Sequence, residues 1–276
     1  MFNRFRFFFS LFFIAIVCLG NDFIHGFYSV RTTDSAFQTM KDLGCTHVHA
    51  YLNAYHDPIK GPDTLQKQLD LAEKHGLKVM FNLIRSGVEK EDDGVERIRA
   101  IVRRFKDHPA LGFWYLYDEP TGAFLRSRLP EIYFMLKRET PDIPVALCLA
   151  TVADWRDFVD PCDILMGDYY PVSNEPFPHA PLYKYSGYIE QLSQYNKPVI
   201  AIPQFMNWQC YPKVKEDYDL KTLRYPNEQE LKYFFYSAMA QGRTTGVVWY
   251  SYEDILRHNN TKYFKEMQPV MQEFRK

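Results

Sequence analysis

Trp114-Tyr115-Leu116-Tyr117-Asp118-Glu119-Pro120-Thr121 is an apolar, aromatic run that ends in two adjacent carboxylates and a proline. Trp, Tyr and Leu in alternation suit a strand, and Pro120 cannot donate to a sheet ladder, so the strand stops there. Carboxylates at the end of a buried parallel strand lie at the mouth of an α/β barrel, where solvent is restricted and proton affinities shift. The same residues also read as a helix N-terminus, since Asp and Glu favour a first turn and Pro its first position. The rest of the chain decides between the two.

On either side of this run, apolar strand-like stretches alternate with amphipathic ones. The strands read as Phe23–Val30, His47–Asn53, Lys78–Ile84, Gly112–Tyr117, Pro144–Ala150, Ile164–Tyr169, Pro198–Phe205 and Gly246–Tyr252. Between them, helical spacing of apolar residues predicts helices over Ser35–Leu43, Leu65–His75, Val95–Lys106, Leu129–Arg138, Tyr188–Tyr195, Glu228–Gln241 and Phe264–Phe274. Trp155–Val159 reads as a short helix at most. Eight such alternations imply parallel pairing through right-handed crossovers. The expected fold is therefore α/β, a (β/α)8 TIM barrel forming one catalytic domain over residues 21–276. No glycine-rich phosphate loop follows the first strand, which argues against an open doubly wound sheet. Long loops, Pro171–Pro181 and Met206–Pro226, follow strands 6 and 7, as expected of a built binding face.

Residues 1–20 stand apart. Arg4 and Arg6 precede an almost wholly apolar run from Phe7 to Gly20, the layout of a secretory signal peptide. An uncleaved membrane anchor is the alternative, although the run is short for a span. The expectation is an exported protein with no stable membrane insertion after cleavage. The net charge of -1 and the lack of a basic stripe exclude nucleic acid as a partner. Cys45, Cys148, Cys162 and Cys210 match no zinc-binding spacing, and Cys45 and Cys148 read as small core residues. His47 and His49 share a strand face, but no later strand adds His ligands, so they read as barrel-interior histidines. No HExxH motif is present, and no metal or cofactor is implied.

In a barrel of this kind the strand ends form the site. They bring together Tyr28, Tyr51, Asn53, Asn82, Tyr170, Gln204, Trp249 and Tyr252 as candidate substrate-binding residues. Asp118, Glu119, Asp168 and Glu253 are the candidate catalytic carboxylates. Amides and acids bind hydroxyls, aromatics cover ring faces, and an acid protonates a leaving oxygen. With 17% aromatic residues, the chain can supply such platforms, and Trp249 is the first choice for one. The set suits a carbohydrate better than a phosphate.

The run His108-Pro109-Ala110-Leu111-Gly112-Phe113-Trp114-Tyr115-Leu116-Tyr117-Asp118-Glu119-Pro120 resembles strand 4 of the (β/α)8 glycoside hydrolase superfamily. There, an Asn-Glu-Pro or Asp-Glu-Pro motif carries the general acid/base. The resemblance implies a glycoside hydrolase with Glu119 as acid/base and Asp118 at the position that hydrogen-bonds the sugar. Glu119 is then expected in a partly buried cleft, where desolvation and Asp118 raise its pKa.

The superfamily places its nucleophile, a Glu, at the end of strand 7. Here the corresponding run is Pro198-Val199-Ile200-Ala201-Ile202-Pro203-Gln204-Phe205, and Gln204 cannot serve as a carboxylate nucleophile. Three readings stay open. Asp168 or Glu253 supplies the second carboxylate, the substrate's own 2-acetamido group attacks, or the protein is a non-catalytic carbohydrate-binding barrel.

Overall fold

Eight parallel strands close into a barrel in chain order. They are β1 (Ile24–Phe27), β2 (His47–Val48), β3 (Lys78–Asn82), β4 (Leu111–Asp118), β5 (Val145–Leu149), β6 (Ile164–Tyr169), β7 (Val199–Pro203) and β8 (Thr244–Trp249). The computed structural model describes residues 23–50, 61–84, 87–150, 152–173, 180–211, 223–257 and 259–274. Residues 1–22 and the candidates Tyr51 and Asn53 lie outside the described residues, as do parts of the long loops after β6 and β7.

The helices between the strands are α1 (Asp34–Asp42), α2 (Gly61–His75), α3 (Gly94–Phe105), α4 (Gly122–Glu139), α5 (Trp155–Phe158), α6 (Tyr183–Ser193), α7 (Glu228–Met239), α8 (Tyr252–Arg257) and α9 (Thr261–Glu273). Local chemistry sets several boundaries. The Thr33 side chain accepts from the Ala36 N–H at the start of α1. Asn227 and Glu230 form a reciprocal capping box on α7. One helix was not expected: Tyr252, read as the last residue of strand 8, instead opens α8. Among the described residues, no helix is long and apolar enough to cross a membrane.

The core has two layers, as strand alternation requires. Phe27, Val48, Phe81, Trp114, Leu116, Leu147, Ala201, Val247 and Trp249 face the helices. Tyr28, Met80, Phe113, Tyr115, Ala146, Cys148, Met166, Ile200, Ile202 and Val248 fill the barrel interior. Close strand approach demands a glycine at Gly26, where an added Cβ would lie 2.1 Å from the His47 carbonyl oxygen. His47 is buried, pairs through Nδ1 with Thr46 Oγ1 at 2.9 Å, and titrates at about 4, first because burial penalises its charge and then because of Lys78.

Candidate active site

Strict alternation along β4 would turn Asp118 outward, because Phe113 and Tyr115 point inward and Trp114 and Leu116 outward. The β4–β5 register shifts between Tyr115 and Asp118, which re-aims the strand end. Asp118 then pairs in register with Cys148 on β5, and its Oδ1 accepts a hydrogen bond from the Tyr115 hydroxyl. Glu119 follows in a left-handed conformation with φ of 51°, unusual for a residue with a side chain, and its N–H donates to the Cys148 carbonyl at 3.2 Å. Strained backbone of this kind tends to collect at functional sites.

A cavity of about 150 Å³ opens at these strand ends. Asp118, Glu119 and Asp168 supply its acids, Tyr28, Tyr170, Tyr211 and Tyr250 its phenols, and Cys148 and Ile202 complete the lining. Tyr170 and Tyr250 stack with ring centroids 5.2 Å apart. Tyr28 packs edge-on to Tyr115 at 5.9 Å. His49 lies behind them, 4.5 Å from the Tyr28 ring and 4.9 Å from Tyr115.

The carboxyls differ in environment. Glu119 is exposed, not partly buried as expected from the sequence. The enclosed acid is Asp168, only 8% exposed. Burial pushes its carboxyl well above the usual carboxylate range; the charge of Glu119, a hydrogen bond with Glu119 and the charge of Asp118 add to this, while a hydrogen bond from Tyr170 opposes it. The Cys148 thiol also donates to Asp168 Oδ1 at 3.6 Å, and that thiol is itself held protonated by burial and by Asp168. Burial likewise raises the phenols of Tyr28, Tyr170 and Tyr250, so all three stay protonated hydrogen-bonding groups.

Five expected site residues are elsewhere. Glu253 sits in the first turn of α8, where Arg31 holds it with a two-pronged ion pair, one contact being 2.7 Å, and Arg257 adds a second. Trp249 is fully buried between barrel and helices, stacks on Phe274 at 5.7 Å, and donates its indole N–H to His25 Nε2 at 3.1 Å. It is a packing residue, not a sugar platform. Tyr252 joins the same outer layer. Asn82 ends β3 beside Tyr115 and does not belong to the described cavity lining.

Gln204 is the fifth. It has the inward parity of Ile200 and Ile202 but no exposed surface. Its Oε1 accepts from the Val172 N–H at 2.7 Å. Its Nε2 donates to the Val172 carbonyl at 2.8 Å and the Met206 carbonyl at 3.2 Å. The side chain thus mimics a β-ladder partner and fastens the segment after β6, which carries Tyr170, to the end of β7. On the other side, the Gln204 backbone forms a parallel β-bridge with Tyr250.

Residues that the sequence reading left out of the site are Cys148, Ile202, Tyr211 and Tyr250. Alternation was a usable signal for three of them. Ala146 and Ile200 inside place Cys148 and Ile202 inside, and Val248 inside places Tyr250, not Trp249, at the cavity. Tyr211 follows the 3-10 turn Trp208–Cys210 and has no periodic signal. Among the described residues, no cluster of His, Cys, Asp and Glu is arranged to hold a metal ion.

No protein-family model matches this chain, and no curated protein matches it. Solved structures do. One is a Bacteroides thetaiotaomicron VPI-5482 protein whose α-L-fucosidase activity is itself a proposal, with TM-score 0.62, 14% identity, and 90% of this chain and 93% of that one covered. A β-D-glucuronidase of Dictyoglomus thermophilum gives TM-score 0.59 and 14% identity over 83% of this chain. A GH2 β-galacturonidase of Eisenbergiella tayi, bound to galacturonate, gives 0.55 and 17% over 79%. The match covers only 44% and 40% of those two longer chains. At such identities the likeness shows a common eight-stranded α/β barrel fold and no more.

Proposed function

We propose that this protein is a glycoside hydrolase acting on a glycan outside the cytoplasm, with Glu119 as general acid/base and Asp168 as the second carboxyl. The observation that supports this best is the meeting of Asp118, Glu119 and Asp168 at one cavity in the barrel mouth, with burial holding a proton on Asp168. Two carboxyls whose environments differ so strongly divide acid and base roles between them.

The chemistry follows from the pair. The proton between Asp168 and Glu119 passes through Glu119, the exposed member, to the glycosidic oxygen. As the C1–O bond breaks, its electron pair goes to that oxygen. Losing the proton leaves Asp168 charged as the sugar ring becomes cationic, so a carboxylate that is costly in the empty cavity gains its partner in the transition state. Asp118, fixed by Tyr115, adds a second negative group beside the ring. Water then adds to C1 and returns a proton to the pair. Gln204 takes no step in this scheme.

Hydrolysis of a panel of glycosides by wild type and by Asp168→Asn tests the assignment. The expected result is turnover by wild type and a loss of at least about 100-fold in the variant, the scale of acid–base catalysis. The neutral, fully hydrogen-bonded Gln204 favours a second reading, sugar binding without cleavage. Measurable binding with no turnover across the panel would select it. Export predicts a mature N-terminus near Asn21 in protein from its native host.

A further inference from the structure

Resting on the glycosidase reading of this cavity, we propose that its substrate is a glycan whose terminal ring carries no negative charge, so that a hexoside is accepted and the matching uronide refused. The first argument is size. At about 150 Å³ the cavity, as the described residues bound it, has the volume of one that takes a single benzene ring, so its scale is one ring rather than a run of them.

The second is charge. Asp118 and Glu119 from the end of β4 and Asp168 from β6 all line that one small volume. A carboxylate on a ring seated in about 150 Å³ is separated from the carboxyls of both strands by no more than the width of that cavity. That separation lies well inside the Debye length of roughly 8–10 Å, so salt does not relieve a like-charge contact. The cavity already responds this way to its own acids: burial, Glu119 and Asp118 keep Asp168 protonated. A substrate carboxylate would add the charge that the site has shed.

The third is the polar lining. Tyr28, Tyr170 and Tyr250 present phenols, which exchange hydrogen bonds with hydroxyls and cover apolar ring faces. A carboxylate is typically met by a guanidinium fork. The described lining residues include three carboxyls and no Lys, Arg or His. The barrel fold leaves the choice of substrate charge open, and the described lining favours a neutral ring.

Matched pairs that differ only at C6 test the proposal. 4-Nitrophenyl α- and β-glucosides, galactosides and mannosides are compared with their uronides near pH 6.5, using the full-length protein. Hydrolysis is read as kcat/KM, and ligands that are not cleaved are read by calorimetric Kd. In every pair that is accepted, the neutral member should win by at least 100-fold. A smaller ratio, or preference for the uronide, overturns the inference and leaves the glycosidase reading standing. If no member of any pair is cleaved or bound, both fall.

Discussion

Gln204→Glu exchanges one NH2 group for an oxygen, and the structure states what that exchange costs. The wild-type amide donates to the Val172 and Met206 carbonyls at 2.8 and 3.2 Å and accepts from the Val172 N–H at 2.7 Å, with no exposed surface. An ionised carboxylate keeps only the last bond and turns a negative oxygen toward two carbonyls. Each buried acceptor left unpaired costs about 1–3 kcal/mol, so two give about 2–6 kcal/mol, before any penalty for the buried charge. The protonated acid behaves differently. Its carbonyl accepts from the Val172 N–H and its hydroxyl donates to the Val172 carbonyl, so only the Met206 carbonyl is left unpaired, about 1–3 kcal/mol. Urea unfolding at pH 4.5 and 7.5 separates the two states. The variant should fall short of wild type by a smaller margin at the lower pH and by several kcal/mol at the higher. It should also gain no covalent glycosyl intermediate, since the side chain at 204 is buried and outside the described cavity lining. Wild-type stability at pH 7.5, or a glycosyl adduct trapped on the introduced carboxyl, would refute the clamp.

Three further outcomes follow from the site and the barrel wall. The raised proton affinity of folded Asp168 means that stability is lost as pH rises from the unfolded Asp value of roughly 3.9 through the folded value. Asp168→Asn should therefore raise Tm at pH 7, with the gap closing toward pH 4; a variant less stable than wild type at pH 7 would contradict this. His47 has the opposite sign: its folded value of about 4 against an ordinary 6.5 makes its contribution present above 6.5 and lost as pH falls through 4. The loss is about 3 kcal/mol, and His47→Gln should flatten that part of the urea-derived stability profile. Glu119→Asn places a residue tolerant of the left-handed region at φ of 51°, removing up to about 1–2 kcal/mol of strain, so each 1 kcal/mol recovered should raise Tm by roughly 2–4 °C while turnover disappears.

The strands, and with them the barrel, were legible because hydrophobic periodicity reports which face is buried. Asp118 and Glu119 were legible for the same reason, as carboxylates that interrupt an apolar run. Trp249 was misread because residue type was weighed above alternation: Val248 inside forces Trp249 outside and Tyr250 in. Glu253 and Tyr252 failed with the strand boundary, since α8 begins at Tyr252. Gln204 had the correct parity, but no local pattern reveals that Val172, 32 residues earlier, occupies its amide. The burial of Asp168 relative to Glu119 likewise depends on packing between strands. A one-dimensional pattern places both acids at strand ends and cannot rank their exposure.

Glu119 delivers the proton in the proposed mechanism, and leaving-group dependence reads that step most directly. Rates of Glu119→Gln relative to wild type should be taken on two glycosides of one accepted sugar, one with an alkyl alcohol and one with 2,4-dinitrophenol as leaving group. Proton donation by Glu119 predicts a loss of at least about 100-fold on the alkyl glycoside and a much smaller loss on the dinitrophenyl one, whose leaving oxygen needs no acid. Equal losses on both substrates, or undiminished turnover of the alkyl glycoside, would contradict it.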